Sequence, residues 1–531
     1  MQTTSVDKST KTSDAKPDVI AYNPATLEEI GRVKNSTPED VHAALRKAKV
    51  AFPAWSALSY GERAEYMWRV RRYLLDHINE IATVISKDNG KPLVESVSSE
   101  IYPVCELIGY WAENTAKALK PKKIGLGVWN WLLRFSEIRF RPKGVIGIVS
   151  PWNYPFSIPM GQIVMSLMAG NCVILKQSSS TPLVGDAMEK VFKGAGLPDG
   201  VFIHVPGDSS VGSALMTCGV DKIVFTGSVP IGKKVMEMAA KNLTPITLEL
   251  GGKDPMVVCK DADLEIAAAG AVWGAFANAG QICASVERVY VHESVAEKFI
   301  KLVVEKTNKL RLGEGTRFDV DMGAMTTESQ MNEVSEQVED AKKRGAKILT
   351  GGERVAGNKG YFYKPTVLTG VDHTFRCVME ETFGPTMPIM TFKDEDEAVR
   401  LANDSEYGLT ASVWTRDIER GRQLAGRIKA GTVTVNDNVY TFALSQTPWG
   451  GHGLSGFGRT HSIYGMLELV DVHHIHVNRS GSFSKSFWWF GYSETTYKLI
   501  CRMADTLTAP GIWSKVKAIP DMIRMALLPK Y

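Results

Sequence analysis

Short apolar runs alternate with helix-like segments along the chain from Gly144 onward. The first series comprises VIGIVS, CVILKQ, VFIHVPG, KIVFTG and PITLELGG, and a second series after Asp261 comprises ERVYVHE, AKILTGG, MPIMTFK, ASVWT and GTVTVN. Strands that are apolar on both faces and separated by helices indicate right-handed βαβ units. The sequence therefore predicts an α/β fold in which a doubly wound parallel sheet precedes a second α/β domain. Sheets of this kind bind nucleotides at their carboxyl edge.

The length and composition set the size of the fold. The chain has 531 residues, of which 44% are hydrophobic and 23% are charged, and this profile is typical of a soluble protein of two or three domains. Residues 38–118 show helical periodicity and predict a helical lead-in to the first sheet. Residues 1–18 are rich in Ser, Thr and Lys without an apolar core, so we expect a disordered tail rather than a signal peptide.

The cysteines and the charges exclude several classes of protein. Seven cysteines are scattered singly, with no CxxC pair and no Cys/His cluster, so the sequence predicts no metal site and a reducing compartment, the cytoplasm. The net charge is +4, and the 53 residues from Arg479 contribute +5 of it through eight Lys/Arg and three Asp/Glu. Because no long basic run occurs elsewhere, the charge distribution argues against a nucleic-acid partner.

One turn in the first series has features of a phosphate-binding site. The stretch FTGSVPIGKK passes from a strand end through Gly227 to a helix that contains Gly232. Glycine allows the backbone to approach a ligand closely, and free N–H groups at a helix start favour phosphate oxygens. The spacing is GxxxxG rather than GxGxxG, so the motif alone fits a dinucleotide site and an ordinary tight turn equally well.

A single cysteine, Cys283, lies between the Ala/Gly-rich stretch FANAGQI and the strand-like stretch ERVYV. A free cysteine at such a position is more often a small core residue than a nucleophile. From its position alone, Cys283 is therefore better interpreted as a packed core residue than as a catalytic nucleophile.

Six motifs decide between these alternatives. In chain order they are PWNYP at 151–155, FTGS at 225–228, LELGGKDP at 248–255, GQIC at 280–283, EETFGP at 380–385 and PWGGHGLSGFGR at 448–459. Together they closely resemble the NAD(P)-dependent aldehyde dehydrogenase superfamily, from about Asn23 to about Val477. The resemblance implies a cofactor-binding domain at 19–122 and 145–250, a catalytic domain at 251–445, and an oligomerisation sheet at 123–144 and 463–480.

The resemblance assigns three catalytic roles. Cys283 would attack the aldehyde to give a thiohemiacetal, and the side-chain amide of Asn153 with the backbone N–H of Cys283 would stabilise the oxyanion. Glu249 would activate the water that hydrolyses the thioester. Taken alone, Glu249 is more often a buried structural carboxylate and Asn153 a turn residue. The presence of Glu249 favours release of a free acid, because relatives that transfer the acyl group to CoA generally lack it.

The resemblance also implies a cofactor, NAD or NADP. It places Glu381 on the nicotinamide ribose, Phe383 near the nicotinamide ring, Ser228 and Gly227 at the pyrophosphate, and Lys176 at the adenosine ribose. The other residues that it assigns to the cofactor site are Pro151, Trp152, Gly207, Thr226 and Leu250. Where the family commonly has KPSE this chain has KQSS, so Ser179 replaces a carboxylate that repels a 2′-phosphate. Use of NADP is therefore expected beside NAD.

Three functions remain open at this level. The first is oxidation of an aliphatic aldehyde, including medium- or long-chain lipid-derived aldehydes, and the second is a semialdehyde dehydrogenase of the succinate-semialdehyde type. The third and most remote is a non-catalytic binding or structural homologue. For each, a homodimer or homotetramer is expected from the resemblance.

The C-terminal extension, residues 481–531, is basic and amphipathic. Leu499, Ile500, Met503 and Leu507 fall on one side of a predicted helix, and a second segment from Ile512 to Leu528 mixes apolar residues with Lys and Arg. With the aromatic cluster Phe487 to Tyr492 and the aromatic, basic stretch 127–142, this pattern suits peripheral docking on a membrane. A tail packed across an oligomer is the alternative.

Overall fold

The computed structural model describes residues 17–127, 134–479 and 489–528. They divide into two compact units, one formed by the described parts of Met1–Ala116 and Pro142–Val470 and the other by those of Lys117–Arg141 and Asp471–Tyr531. Residues 1–16 of the predicted tail lie outside the described residues, as do Phe487 and Trp488 of the aromatic cluster. Within the described part, no helix combines the length and hydropathy that a bilayer crossing requires.

The amino-terminal part of the chain is a strand hairpin followed by helices. Its elements are β1 (Val19–Tyr22), β2 (Glu29–Val33), α1 (Pro38–Ala57), α2 (Tyr60–Asp76), α3 (Ile78–Asn89), α4 (Leu93–Glu95), a π-helical turn (Ser96–Ile101) and α5 (Tyr102–Ala118), followed by β3 (Lys122–Ile124) and β4 (Arg134–Pro142). Helices α1 and α2 both begin with a capping box, Thr37 with Asp40 and Ser59 with Glu62. Each box satisfies two otherwise unpaired N–H groups and so determines where the helix starts.

Strands and helices alternate in the next part of the chain. The elements are β5 (Val145–Val149), α6 (Ser157–Ala169), β6 (Cys172–Lys176), α7 (Pro182–Gly194), β7 (Phe202–His204), α8 (Ser209–Thr217), β8 (Lys222–Thr226), α9 (Val229–Ala240) and β9 (Ile246–Glu249). Every residue of β6, β8 and α6 is buried. Their continuous apolar runs follow from this burial, because helices cover both faces of the sheet.

The remaining part of the chain forms a second strand and helix series. Its elements are β10 (Asp254–Val258), α10 (Leu264–Phe276), β11 (Val286–His292), α11 (Ala296–Thr307), α12 (Glu328–Lys343), β12 (Lys347–Thr350), β13 (Thr366–Thr369), α13 (Arg376–Met379), β14 (Thr386–Phe392), α14 (Glu395–Asn403), β15 (Thr410–Trp414), α15 (Ile418–Ala425), β16 (Thr432–Val435), β17 (Gly456–Phe457), α16 (Ser462–Glu468), β18 (Val470–Asn478), α17 (Glu494–Thr508) and α18 (Ile512–Leu527). The sequence pattern did not identify β10 and β13.

The first large sheet has the strand order β17-β9-β8-β5-β6-β7. Its neighbours are parallel except for β17, which is antiparallel to β9. The chain runs outward from β5 through β6 to β7 and then crosses back to β8, so the direction of winding reverses between β5 and β8. Ligands bind outside the carboxyl ends of the strands at such a switch point. The loops after β5 and β8 carry Pro151–Asn153 and Gly227–Ser228.

The second large sheet has the order β12-β13-β14-β11-β10-β15-β16, with only the β12 and β13 pair antiparallel. Two parallel-rich sheets with covering helices confirm the predicted α/β fold class. Both sheets lie in one compact unit. The boundaries of separate cofactor and catalytic domains therefore stay a prediction.

The other unit contains a small sheet of order β18-β4-β3. Ser136 on β4 lies between two histidines of β18, with its hydroxyl 2.7 Å from Nδ1 of His476 and 3.1 Å from Nε2 of His474. The predicted range 463–480 for a strand of this sheet includes most of α16, so the strand itself is shorter, Val470–Asn478. That this sheet mediates oligomerisation stays a prediction.

Helices α17 and α18 form a hairpin. Leu499 and Met503 of α17 are buried together with Met525 of α18, and Arg502 forms an ion pair with Asp521 at 3.1 Å. The apolar side of α17 predicted from the sequence thus packs against α18. It is not the face that the hairpin presents to solvent.

Candidate active site

Cys283 lies in a tightly turned loop between α10 and β11. Asn278, Ala279 and Gly280 have φ angles of 50°, 54° and 74°, the left-handed region that side chains other than glycine rarely adopt. A Cβ atom on Gly280 would come within 2.2 Å of the carbonyl oxygen of Gly384, so this position requires glycine. Such strained turns occur where a side chain must be held for function.

Two cavities meet at Cys283. One is apolar, and its lining includes Tyr102, Tyr154, Trp273, Phe442 and Trp449. The other is more polar and lies at the switch point between β5 and β8. A thiol with a cavity on either side is accessible to two molecules at once.

The polar cavity brings together most of the predicted site. Besides Cys283, its lining includes nine residues singled out from the sequence: Pro151, Trp152, Asn153, Thr226, Gly227, Ser228, Leu250, Glu381 and Phe383. Gln330 and Glu333 of α12 also line it and were missed, because nothing in their helix pattern points to a ligand. Glu249, Lys176, Ser179 and Gly207 are not part of this lining. Glu249 ends β9, and the other three end or follow β6 and β7, further along the same carboxyl edge.

The polar cavity suits a dinucleotide. Ser228 is the N-cap of α9 but makes no side-chain cap bond, so the first N–H groups of this helix are available to phosphate oxygens. Glu381 is held by the N–H of Gly252 at 2.9 Å, and a carboxylate there can accept from ribose hydroxyls. Trp152 and Phe383 pack edge to face with 5.4 Å between ring centroids, which offers an aromatic wall to a flat ring. The donor and acceptor set therefore fits NAD or NADP.

The adenosine end differs in its charges. Lys176 is buried, and desolvation lowers its pKa to about 8, although the charge of Asp208 opposes this change. Ser179 is exposed and uncharged. At this edge of the sheet Lys176 therefore supplies a cationic group, and position 179 has no carboxylate.

Asn153 is held by a buried polar network. Its side-chain nitrogen donates to the backbone carbonyl of Gln281 at 3.0 Å. The backbone carbonyl of Asn153 accepts from the ammonium group of Lys91 and from the side-chain amide of Asn278, each at 2.9 Å. Lys91 pairs with Glu100 at 2.6 Å, and both side chains are fully buried. The sequence analysis missed these supporting residues, because no local pattern marks a lysine as buried.

The carboxylate of Glu100 also anchors a helix. The second oxygen of Glu100 accepts from the N–H groups of Phe156 and Ser157, at 3.0 and 2.8 Å, where α6 begins. One ion pair therefore links the loop of Asn153 to the start of α6.

A second buried ion pair holds the loop of Glu381 and Phe383. Lys253 and Glu287 are 2.6 Å apart, and Glu287 accepts from the backbone N–H groups of Thr382 and Phe383 at 2.8 and 2.9 Å. Lys253 belongs to the LELGGKDP motif and could have been identified from the sequence as a residue near the site. Glu287 lies in none of the six motifs, so the sequence did not single it out.

Glu249 and Cys283 have strongly shifted pKa values. Burial raises the pKa of Glu249 to about 7, against a hydrogen bond from Thr460 that lowers it. Burial also raises the pKa of the Cys283 thiol well above its ordinary value, and the charge of Glu249 adds to this effect. Two titratable groups in electrostatic contact, with pKa values moved by burial, are typical of a catalytic site. The thiol is protonated in these surroundings, and a carboxyl group beside it titrates near neutrality.

The apolar cavity has a volume of about 210 Å³. Within the part of the chain that the structure describes, the residues lining it are apolar or aromatic apart from Ser98 and Ser99, and none is charged. Trp273 and Tyr102 are half exposed at its rim. This cavity is suited to a hydrophobic group.

Comparison with known proteins identifies the family of the chain. The model of the aldehyde dehydrogenase family matches residues 10–475. The 4,4'-diapolycopene aldehyde oxidase of Methylomonas sp is 36% identical over 484 residues, covering 90% of this chain and 89% of the relative. A Mycobacterium tuberculosis protein named "Putative succinate-semialdehyde dehydrogenase (NADP(+)) 2" is 37% identical over 467 residues, covering 86% and 88%.

Solved structures agree as well. The NAD+ complex of an aldehyde dehydrogenase from Bacillus cereus superposes with a TM-score of 0.83 at 35% identity, covering 87% of this chain and 94% of that one. A betaine aldehyde dehydrogenase from Staphylococcus aureus, in complex with NAD+, gives 0.85 at 32% identity and covers 90% and 97%. The chain therefore belongs to the aldehyde dehydrogenase family and is an NAD(P)-dependent oxidoreductase that acts on aldehydes.

Proposed function

We propose that this enzyme oxidises an apolar aliphatic aldehyde, of the medium- or long-chain, lipid-derived kind, to the free carboxylic acid. The observation that carries the proposal is the uncharged lining of the cavity beside Cys283. A semialdehyde would bring a carboxylate into this cavity, and burying an unpaired charge costs several kcal/mol. The two relatives are named for different aldehydes, so their names do not decide the substrate class of this enzyme. The uncharged cavity favours the apolar aldehyde.

Cys283 is proposed as the nucleophile. Its S–H bond breaks and the ionised form of Glu249 takes the proton, which it passes to solvent before the second half-reaction. The sulfur bonds to the aldehyde carbon, and the carbonyl oxygen becomes an oxyanion that the amide of Asn153 and the N–H of Cys283 stabilise. One N–H of the Asn153 amide is engaged by Gln281, which aims the group, and an amide nitrogen has a second N–H to donate. Bound NAD or NADP supplies the acceptor for the hydride that the adduct loses.

Glu249 is proposed as the base of the second half-reaction. It removes a proton from water as the water oxygen bonds to the thioester carbon, and the carbon–sulfur bond then breaks to release the acid. A pKa of about 7 suits this role, because the group is ionised in part at neutral pH and can both take up and release a proton.

Use of NADP beside NAD is supported by the charges at the adenosine end. A carboxylate at position 179 would repel a 2′-phosphate, whereas Ser179 does not, and Lys176 adds an attractive charge. The proposed assembly is a homodimer or homotetramer in the cytoplasm.

The outer face of α18 supports peripheral docking on an anionic membrane. Ile512, Val516, Ile523 and Leu527 recur at helical intervals and are exposed, and Trp513 beside them is 76% exposed. Lys517 and Arg524 are exposed on the same helix at interspersed positions. Apolar side chains that enter the lipid interface with basic side chains near the head groups are the pattern of interfacial helices. The membrane-docking face proposed here thus belongs to α18 rather than to the packed side of α17.

Decanal should be a far better substrate than succinate semialdehyde. We expect kcat/KM for decanal to be higher by about 100-fold, the effect of roughly 2.7 kcal/mol of unpaired charge burial. Trp273→Arg, at the rim of the cavity, should lower the ratio of kcat/KM for decanal to kcat/KM for succinate semialdehyde. Trp273→Leu, which adds no charge, should leave this ratio unchanged. Equal kcat/KM values for both substrates in the unmodified enzyme would contradict the proposed substrate class.

Cys283→Ala should abolish dehydrogenase activity and leave cofactor binding intact, because the covalent adduct cannot form. Cys218→Ala, outside both cavities, is the matched control and should retain activity.

Glu249→Gln should instead give a rapid burst of reduced cofactor in stopped-flow absorbance, followed by slow turnover. Normal steady-state turnover by Glu249→Gln would remove the role assigned to this carboxylate.

The enzyme should use NADP with kcat/KM within roughly tenfold of NAD, a difference of about 1.4 kcal/mol. Ser179→Glu should shift the ratio toward NAD by restoring the repulsion, and Asn242→Glu, in the turn after α9, should leave the ratio unchanged. Initial rates with each cofactor measure this ratio, and exclusive use of NAD by the unmodified enzyme would count against the argument.

The full chain should float with phosphatidylserine vesicles and less with phosphatidylcholine vesicles, and a shortened chain ending at Asn478 should not float. Trp513→Ser combined with Leu527→Ser should reduce flotation at unchanged activity toward a soluble aldehyde, because both side chains lie outside the packed core of the hairpin. If the full and shortened chains float equally poorly, the membrane proposal is wrong and the tail belongs to the oligomer.

A further inference from the structure

Thr460 lies directly beside the carboxyl group of Glu249. Strand β17 is antiparallel to β9, with Gly456 opposite Glu249, and the chain then turns back through Gly458. Thr460 is anchored by two backbone hydrogen bonds with Trp449, at 2.8 and 2.9 Å, and Trp449 lines the apolar cavity. The position of Thr460 is therefore set by the walls of the active site.

The Thr460 hydroxyl donates to Oε1 of Glu249 at 2.5 Å. Both residues are buried, with 8% and 5% of their surfaces exposed. Water does not readily replace a hydrogen bond at such a depth, so this contact governs where the carboxylate points.

The ring of His461 lies next to the Thr460 hydroxyl, on the hydrogen-bonded path that begins at Glu249. Its Nδ1 lies 3.2 Å from the Thr460 hydroxyl, and its ring packs edge to face on Phe442 with 5.0 Å between centroids. The backbone of His461 has a φ of 58°, a conformation that histidine adopts only under constraint. Burial lowers its pKa to about 4, so the ring is neutral at physiological pH.

We propose that Thr460 is a positioning residue for Glu249, and that Thr460 and His461 form a hydrogen-bond chain that gives this carboxyl group a partner both when it is ionised and when it carries a proton. The inference rests on the proposed role of Glu249 as the base. It adds the residues that hold the base ready for each turnover.

The chain has two arrangements because a hydroxyl both donates and accepts, while a neutral imidazole that keeps its proton on Nε2 leaves Nδ1 as an acceptor. When Glu249 is ionised, the Thr460 hydroxyl donates to the carboxylate. When Glu249 has taken a proton from water, it donates to the Thr460 hydroxyl, which turns to donate to Nδ1 of His461. No proton leaves the carboxyl group through this rearrangement.

Other charged and titratable groups face the same carboxyl group. The charge of Arg459 lowers the pKa of Glu249, and Cys283 is in electrostatic contact with it. Behind Thr460, the cavity that it lines contains the ion pair of Lys222 and Glu468, 2.8 Å apart. During deacylation Cys283 is a thioester without a titratable proton, so the pH profile of that step reports on Glu249 rather than on the thiol.

Thr460→Val tests the inference, since it removes the hydroxyl and keeps nearly the same shape. Loss of the hydrogen bond should raise the pKa of Glu249, so deacylation should reach its half-maximal rate about one pH unit higher and should slow by about fivefold at pH 7. The initial burst of reduced cofactor in stopped-flow absorbance should persist, which also shows that the variant is folded. Thr460→Ser, which restores the hydroxyl, should return both the rate and the pH profile to those of the unmodified enzyme.

The outcomes separate this inference from the proposed function. If Glu249→Gln is slow in deacylation while Thr460→Val has an unchanged rate and pH profile, Glu249 remains the base and the role of Thr460 is refuted. If Thr460→Val loses the burst together with turnover, or Thr460→Ser fails to rescue, the effect is structural and the inference is also refuted. Normal turnover by Glu249→Gln would remove the proposed base itself.

Discussion

The contact between the buried ammonium group of Lys91 and the carbonyl of Asn153 is the interaction on which the active site depends. An unpaired lysine could not remain at this depth, and Glu100 makes its burial possible while it also binds the first N–H groups of α6. The carbonyl of Asn153 also accepts from Asn278, which belongs to the left-handed turn before Cys283. Asn153 and Cys283, the proposed oxyanion donor and nucleophile, are thus positioned by a single polar network, although Asn153 follows a strand of the first sheet and Cys283 precedes a strand of the second.

The division of the space around Cys283 follows from the same architecture. The polar cavity lies at the switch point between β5 and β8, so its walls are loop backbone, a helix start and carboxyl groups. The apolar cavity takes Tyr102 from α5 and Trp273 from α10, and its other aromatic side chains come from the loop of Tyr154 and the segment from Tyr440 to Trp449. Both cavities reach the same sulfur, so the proposed hydrophobic substrate and the cofactor can each meet Cys283 in suitable surroundings.

The sequence predicted the five parallel strands of the first sheet, because each is a short apolar run bounded by turn residues, but not β17, which is only two residues long. Strand β10 was missed because it begins with Asp254, whose carboxylate is buried against Thr410. The motifs identified the residues that line the polar cavity. Their supporting partners were not predictable, because Lys91 and Asn153 are 62 positions apart and burial of a charge leaves no local pattern. The amphipathic character of the tail was predicted, but the side proposed to face lipid could not be, because it depends on which side of α17 the next helix covers.

The protonated state of Cys283 has a consequence for the enzyme between turnovers. Peroxides, disulfides and alkylating agents react with the thiolate, so a thiol whose pKa lies well above its ordinary value reacts with them slowly. A permanently ionised cysteine would be open to these reagents between turnovers. Burial, together with the neighbouring carboxylates, therefore slows the reaction of the resting Cys283 with oxidants as well as with aldehydes, and this acts as chemical protection of the thiol.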